Sequence, residues 1–132
     1  PTYLNAYAYT LALQNRRLKE ARKYAELALN FAPEQASILD TLGYIAFLQN
    51  DFDTAVQALQ QAYSISQNVN IGIRYAKALY MQGSLAQFSD VLQQLKQKHA
   101  NASHSLLIQN LHWAGFLNVK EVWILTNLAT LP

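Results

Sequence analysis

Two stretches of this 132-residue chain repeat each other at a spacing of 34: Leu18, Ala21, Ala28 and Leu29 are answered by Phe52, Ala55, Ala62 and Tyr63. A period of that length, with small residues seven apart inside each copy, specifies helical hairpins stacked on one another, because a single hairpin cannot enclose a core. Such a stack offers long surfaces to other chains. It therefore points to recognition and away from chemistry in an enclosed pocket.

Apolar spacing and helix stops place the elements. The first copy is expected as helices over 2–14 and 17–31, ended by Ala32-Pro33, since proline cannot continue a helix. The second is expected over 36–49, with Leu39, Leu42, Ile45 and Ala46 on one stripe, and over 52–66. Asn50-Asp51 breaks the two, and Asp51 is placed to accept unpaired amides at the start of the later helix. The third copy follows at a spacing of 33, as Phe47 to Tyr80 and Phe52 to Leu85 show. Its helices are expected over 70–82 and 85–98, parted by Gly83-Ser84, with Ser84 and Gln87 at capping-box spacing.

Beyond His99 the repeat fades. Segments 105–114 and 119–131 read as a degenerate helical pair, with Asn118 and Glu121 at capping-box spacing and Trp113, Phe116 and Trp123 to seal the stack or meet a further repeat. The expected organisation is one domain, with repeats over 2–35, 36–68 and 69–102 and a terminal pair over 103–132. It is expected to be part of a longer protein.

An apolar fraction of 52% is ample for a core, and the absence of cysteine excludes disulfides and thiolate zinc sites. A net charge of +2 is too small for a nucleic-acid surface. Half of the basic residues, Arg16, Arg17, Lys19, Arg22 and Lys23, interleave with Leu18, Ala21 and Tyr24 and read as a solvated helix face. No basic-then-apolar leader and no run long enough to span a membrane occurs.

The sequence holds no Gly-rich phosphate loop, metalloprotease helix or nucleophile elbow, so no enzyme, cofactor or metal is expected. His99, His104 and His112, with Glu121 the nearest acidic residue after them, read as surface or capping residues. Asn101-Ala102-Ser103 matches the glycosylation sequon and reads as an inter-helix turn.

The segment Leu39-Asp40-Thr41-Leu42-Gly43-Tyr44-Ile45-Ala46, followed by Asp51-Phe52-Asp53-Thr54-Ala55 and Ala62, resembles the tetratricopeptide repeat. The resemblance implies an all-α, right-handed solenoid of three repeats and a terminal helical pair, acting as a protein-protein interaction scaffold. It makes Gly43, Ala55 and Ala62, with Ala21 and Ala28 in the first copy, the points where helices approach most closely. The first copy matches at Tyr7, Ala8, Leu18, Ala21, Ala28 and Pro33 but has Tyr9 in the glycine's place. The third keeps Ala76, Leu79, Gly83 and Leu85 but has Phe88 and Leu95 where alanines belong, so its second helix must pack differently. A narrower resemblance, through the segment 39–44 and through Ile73-Arg74-Tyr75-Ala76-Lys77-Ala78-Leu79, is to bacterial repeat proteins of exopolysaccharide and PEP-CTERM sorting systems.

In that family the first helix of each pair lines the concave surface. The implied partner-binding residues are Tyr3, Tyr7, Asp40, Tyr44, Asn70, Arg74, Lys77 and Tyr80, flanked by Thr10, Gln14, Ser37, Thr41, Leu48 and Met81. Arg74 and Lys77, one turn apart, would present a positive pair beside tyrosine rings and favour an acidic peptide. The bland alternatives are tyrosines packed between helices and a surface bridge from Arg74 to Asp40 worth under about 1 kcal/mol. Of the family's carboxylate clamp for chaperone tails, whose places fall at Ala6, Thr10, Thr41, Asn70 and Arg74, only Arg74 survives, so tight binding of such tails is not expected. The readings from other classes are a structural spacer that self-associates through its end helices and an exopolysaccharide-associated module of a bacterial envelope protein.

Overall fold

Left-handed turns and one proline cut the chain into helices. The computed structural model describes residues 1–98, in which α1 (Thr2–Leu13), α2 (Leu18–Phe31), α3 (Ala36–Leu48), α4 (Phe52–Ser66), α5 (Val69–Gln82) and α6 (Leu85–Lys98) follow one another without a strand. All bounds fall within one residue of those expected from sequence. The expected terminal pair, its Trp113, Phe116 and Trp123, the three histidines and the sequon lie outside the described residues.

Each hairpin closes in the same way. Asn15, Asn50 and Gly83 take positive φ, and the amide of the next residue reaches back to the carbonyl five positions earlier: Arg16 to Leu11 at 3.0 Å, Asp51 to Ala46 at 2.8 Å and Ser84 to Leu79 at 3.0 Å. These bonds occupy carbonyls that would otherwise be unpaired at a helix end. Asp51 then caps α4 by accepting from the Thr54 amide at 3.3 Å, as its position predicts. Asn68 does the same for α5, accepting from the amides of Asn70 and Ile71. The Ser84 hydroxyl, expected in a capping box with Gln87, instead donates to Gln82 Oε1 across the turn.

Connections between paired helices shorten along the chain, from 14–17 to 49–51 to 83–84. The longest contains a further left-handed residue, Arg17. One residue is thus added ahead of α2, so α1 and α3 are offset by 35 positions while α2 and α4 are offset by 34. Ala8, not Tyr9, consequently corresponds to Gly43. Ala8 is fully buried in a cluster with Ala21, Ala25, Leu42 and Ile45, whereas Tyr9 corresponds to Tyr44 and is only half-buried.

The helices form a ladder. Every helix packs on the next, and α3 also packs on α1 and α5, the first helices of the neighbouring hairpins. Close approach is where the small residues stand: Ala21, Ala28, Ala55 and Ala62 are fully buried. A Cβ on Gly43 would lie 2.5 Å from Leu59 Cγ, so the side-chain-free helix surface is what admits Leu59 of α4.

One basic residue departs from the solvated-face reading. Arg22 donates to Gln49 Oε1 and Asp51 Oδ2, each at 3.0 Å, and to Glu26 on its own helix at 3.0 Å. It ties α2 to the turn of the next hairpin. The hydrogen bond from Thr54, and next the one from Arg22, hold the Asp51 carboxyl below the ordinary carboxylate range.

Candidate functional site

Helical phase decides which side chains of α1, α3 and α5 share a surface. At about 100° per residue, Tyr7 and Tyr9 project from nearly opposite sides of α1. The structure carries Tyr9 to the face shared with α3 and α5, and there it meets residues far away in sequence. Arg74 Nη2 on α5 lies 3.5 Å from the Tyr9 hydroxyl on α1, across 65 positions of sequence. First and third hairpins thus reach each other over α3, on the face that the family resemblance makes concave.

At the centre Arg74 Nη1 donates to Asp40 Oδ2 at 2.6 Å. The guanidinium carbon lies 4.9 Å from the Tyr44 ring centroid and 6.0 Å from that of Tyr9, and the two rings are 6.3 Å apart. Such distances suit cation–π attraction, strengthened here because water is largely excluded. The side chains of Arg74 and Asp40 are only 19% and 17% exposed. The bridge is therefore not the weak surface pair expected from sequence.

Burial works against both charges of this pair. It pushes the Asp40 carboxyl above the ordinary carboxylate range even though the charge of Arg74 and its hydrogen bond pull the other way. Burial likewise disfavours the charged Arg74, but the Asp40 charge and the Tyr9 hydroxyl outweigh it and leave the guanidinium raised. Asp40 Oδ1 is buried without a hydrogen-bond partner among the described residues. The pair is firmly built but incompletely satisfied.

Other expected groove residues are dispersed. Lys77 Nζ sits 5.0 Å from the Phe47 ring centroid, one turn beyond Arg74. Asn70 is exposed in the first turn of α5, and Tyr80 is half-buried with its ring 5.3 Å from Phe88 of α6. Tyr3 and Tyr7 lie on the far side of α1, where the Tyr7 ring meets Tyr24 of α2 edge-on at 5.1 Å. The one-residue slip before α2 explains this: alignment at 34 puts Tyr7 in the groove, and the true offset of 35 puts Tyr9 there. Because Arg74 is neutralised by Asp40, it does not form the positive pair with Lys77 that the spacing suggests.

Thr10 and Thr41, two of the clamp positions expected from sequence, bond through their hydroxyls to their own helices, and the offset of 35 moves the first-copy positions from Ala6 and Thr10 to Asn5 and Tyr9. Thr10 Oγ1 donates to the Ala6 carbonyl at 2.8 Å and Thr41 Oγ1 to the Ser37 carbonyl at 2.9 Å. Arg74, the one clamp residue expected to survive, is held by Asp40.

The family model for the tetratricopeptide repeat matches residues 46–111. The chain belongs to the tetratricopeptide repeat family. No curated protein matches it. Tetratricopeptide repeats are non-catalytic modules of protein-protein interaction, and the described residues form six helices in the ladder such repeats form. Among the described residues no helix is long and apolar enough to cross a membrane.

Proposed function

We propose that this tetratricopeptide repeat domain binds a peptide or a partner's helix along the concave face of α1, α3 and α5. The observation that carries the reading is the Tyr9–Arg74–Tyr44 cluster, fixed from below by Asp40. Its side chains are already ordered, so a ligand that stacks on them loses less conformational entropy than one that must order loose residues. Tyrosine rings beside a guanidinium favour apolar or aromatic side chains with hydrogen-bonding ends. Arg74, already paired with Asp40, adds no net charge to favour acidic segments.

A displayed peptide library selected on the 132-residue chain tests this. Selected peptides should lose about tenfold or more in affinity when Tyr9 and Tyr44 are both changed to alanine, an effect of about 1.4 kcal/mol. They should be indifferent to Leu27→Lys on the far side of the stack. Ligands that keep full affinity for the double variant would remove the concave face as the binding surface.

A further inference from the structure

Equivalent residues of α1, α3 and α5 give the concave face two unlike rims. Counting 35 from the first hairpin to the second and 33 from the second to the third, Leu13, Leu48 and Met81 correspond, and so do Thr2, Ser37 and Asn70. The first set stands at the ends of the three helices and the second at their beginnings. Leu13 and Leu48 come one turn after Tyr9 and Tyr44, and Met81 two turns after Arg74. Thr2 and Ser37 come two turns before those tyrosines, and Asn70 one turn before Arg74. All six therefore lie within about 40° of the central cluster around their helices. Leu13 and Met81 are 58% and 45% exposed, and Leu48 between them is half-buried. Thr2, Ser37 and Asn70 are exposed. An apolar row thus faces a polar row across Tyr9, Arg74 and Tyr44, and neither row carries a charge.

The floor between the rows has little to offer a peptide backbone. Arg74 is bonded to Asp40 and Tyr9, and the Thr41 hydroxyl donates to the Ser37 carbonyl. An extended segment would bury amide and carbonyl groups there without partners, whereas a helix pairs its own. The rows stand eleven positions apart on each helix, about 16 Å, which leaves room for a helix about 10–12 Å across with its side chains. Neighbouring packed helices repeat at about 8–10 Å. Two turns of a helix advance about 11 Å, so side chains about seven residues apart meet successive members of a row.

We propose that the segment bound on this face is an amphipathic α-helix of a protein partner lying across the three hairpins, an inference that rests on the concave-face reading above. Its apolar stripe packs on Leu13, Leu48 and Met81, and its polar side lies over Thr2, Ser37 and Asn70. Apolar contact at one rim, and not charge, sets its orientation.

Met81 is the chain's only methionine, so a methyl label there gives one resonance that reports on the apolar rim. Two displayed peptide libraries of equal composition are selected on the 132-residue chain, one spacing its leucines three and four residues apart and one placing them at every second position. Binders are expected from the first alone. They should shift the Met81 resonance saturably, gain helical circular dichroism on binding and weaken about tenfold in the Leu13→Gln, Met81→Gln double variant. Both side chains are exposed, so the variant's own helical signal should be unchanged. Alternating peptides that bind and still need Tyr9 and Tyr44 would overturn the helix and leave the concave face as the binding surface. Helical binders indifferent to the double glutamine variant would overturn the apolar rim in the same way. Binders from either library that keep full affinity without Tyr9 and Tyr44 would remove the face itself, and the helix with it. Self-association that the glutamine variant abolishes would assign the face to a second copy and overturn the partner.

Discussion

Gly72 of α5 and Leu95 of α6 occupy one space: a Cβ on Gly72 would stand 2.7 Å from Leu95 Cδ2 and 2.8 Å from Tyr63 Cε1. One repeat earlier the corresponding positions hold Leu39 and Ala62, both buried in the same cluster. Bulk has moved from the first helix of the hairpin to the second. This exchange is how the third repeat accommodates leucine where the family has alanine.

The exchange should be reversible. Gly72→Leu alone overpacks the site and should cost about 1–3 kcal/mol or more, and Leu95→Ala alone should cost about 2–5 kcal/mol by leaving a cavity. The double variant restores the Leu39–Ala62 arrangement and should be more stable than the sum of the singles by about 1–3 kcal/mol. Urea denaturation of the four proteins gives the coupling directly. Strict additivity would show that the two residues do not share space.

Gly43 and Gly83 should respond in opposite ways to side-chain size. Gly43 faces Leu59, which is 1% exposed and cannot move aside, so Gly43→Ala should cost about 1–3 kcal/mol in overpacking, offset by up to about 1 kcal/mol of helix propensity. Gly83 has φ +89 and nothing within 4 Å of an added Cβ. Its cost arises from the backbone alone, roughly 1 kcal/mol for alanine, and Gly83→Asn should be milder because Asn15 and Asn50 hold the same turn. Thermal midpoints for Gly83→Asn no better than for Gly43→Asn would contradict this division.

Asp51 should stabilise the fold only while ionised. Its folded-state value is lowered, so its contribution is present above the unfolded value of about 3.9 and disappears as pH falls through the folded value. With 37% of the side chain exposed, the charge contributes under about 1 kcal/mol after solvent screening. Asp51→Asn keeps a capping oxygen and removes the charge. The variant should trail the parent slightly at neutral pH and match it once the folded-state carboxyl is protonated, and a gap that persists below that point would assign the difference to the cap instead.

Most of the fold was legible because it depends on coarse properties. The alanine spacing, Pro33, Asp51 and Gly83 each have a local physical meaning that survives any context, and they placed the six described helices. The concave face was less legible because phase along a helix is unforgiving: one additional residue in the first connection rotates the alignment by about 100°. That exchanged Tyr7 for Tyr9. The signal existed in the sequence, since Asn15 and Asn50 are 35 apart, but the 34-residue spacing of the second helices masked it. Burial of the Arg74–Asp40 pair was not legible, because it depends on how far α1 and α5 curve toward each other.

That buried pair makes the most demanding prediction. Arg74→Met removes one partner and leaves Asp40 in a low-dielectric site with Oδ1 already unpaired, so it should cost about 3–5 kcal/mol at neutral pH. Replacing both, as Arg74→Met with Asp40→Leu, should recover most of that loss, since a well-packed apolar pair rivals a buried ion pair. The pH dependence distinguishes charge from packing. A carboxyl whose folded value lies above its unfolded value favours the fold in acid and loses that advantage as pH rises through the folded value. Burial already raises Asp40, and without Arg74 nothing opposes it, so the value should climb further. The deficit of Arg74→Met should therefore shrink as pH is lowered from 7 toward about 4, because the protonated carboxyl no longer needs a counter-charge. A deficit independent of pH would mean that Arg74 stabilises the concave face through its contacts with Tyr9 and Tyr44, with Asp40 a bystander.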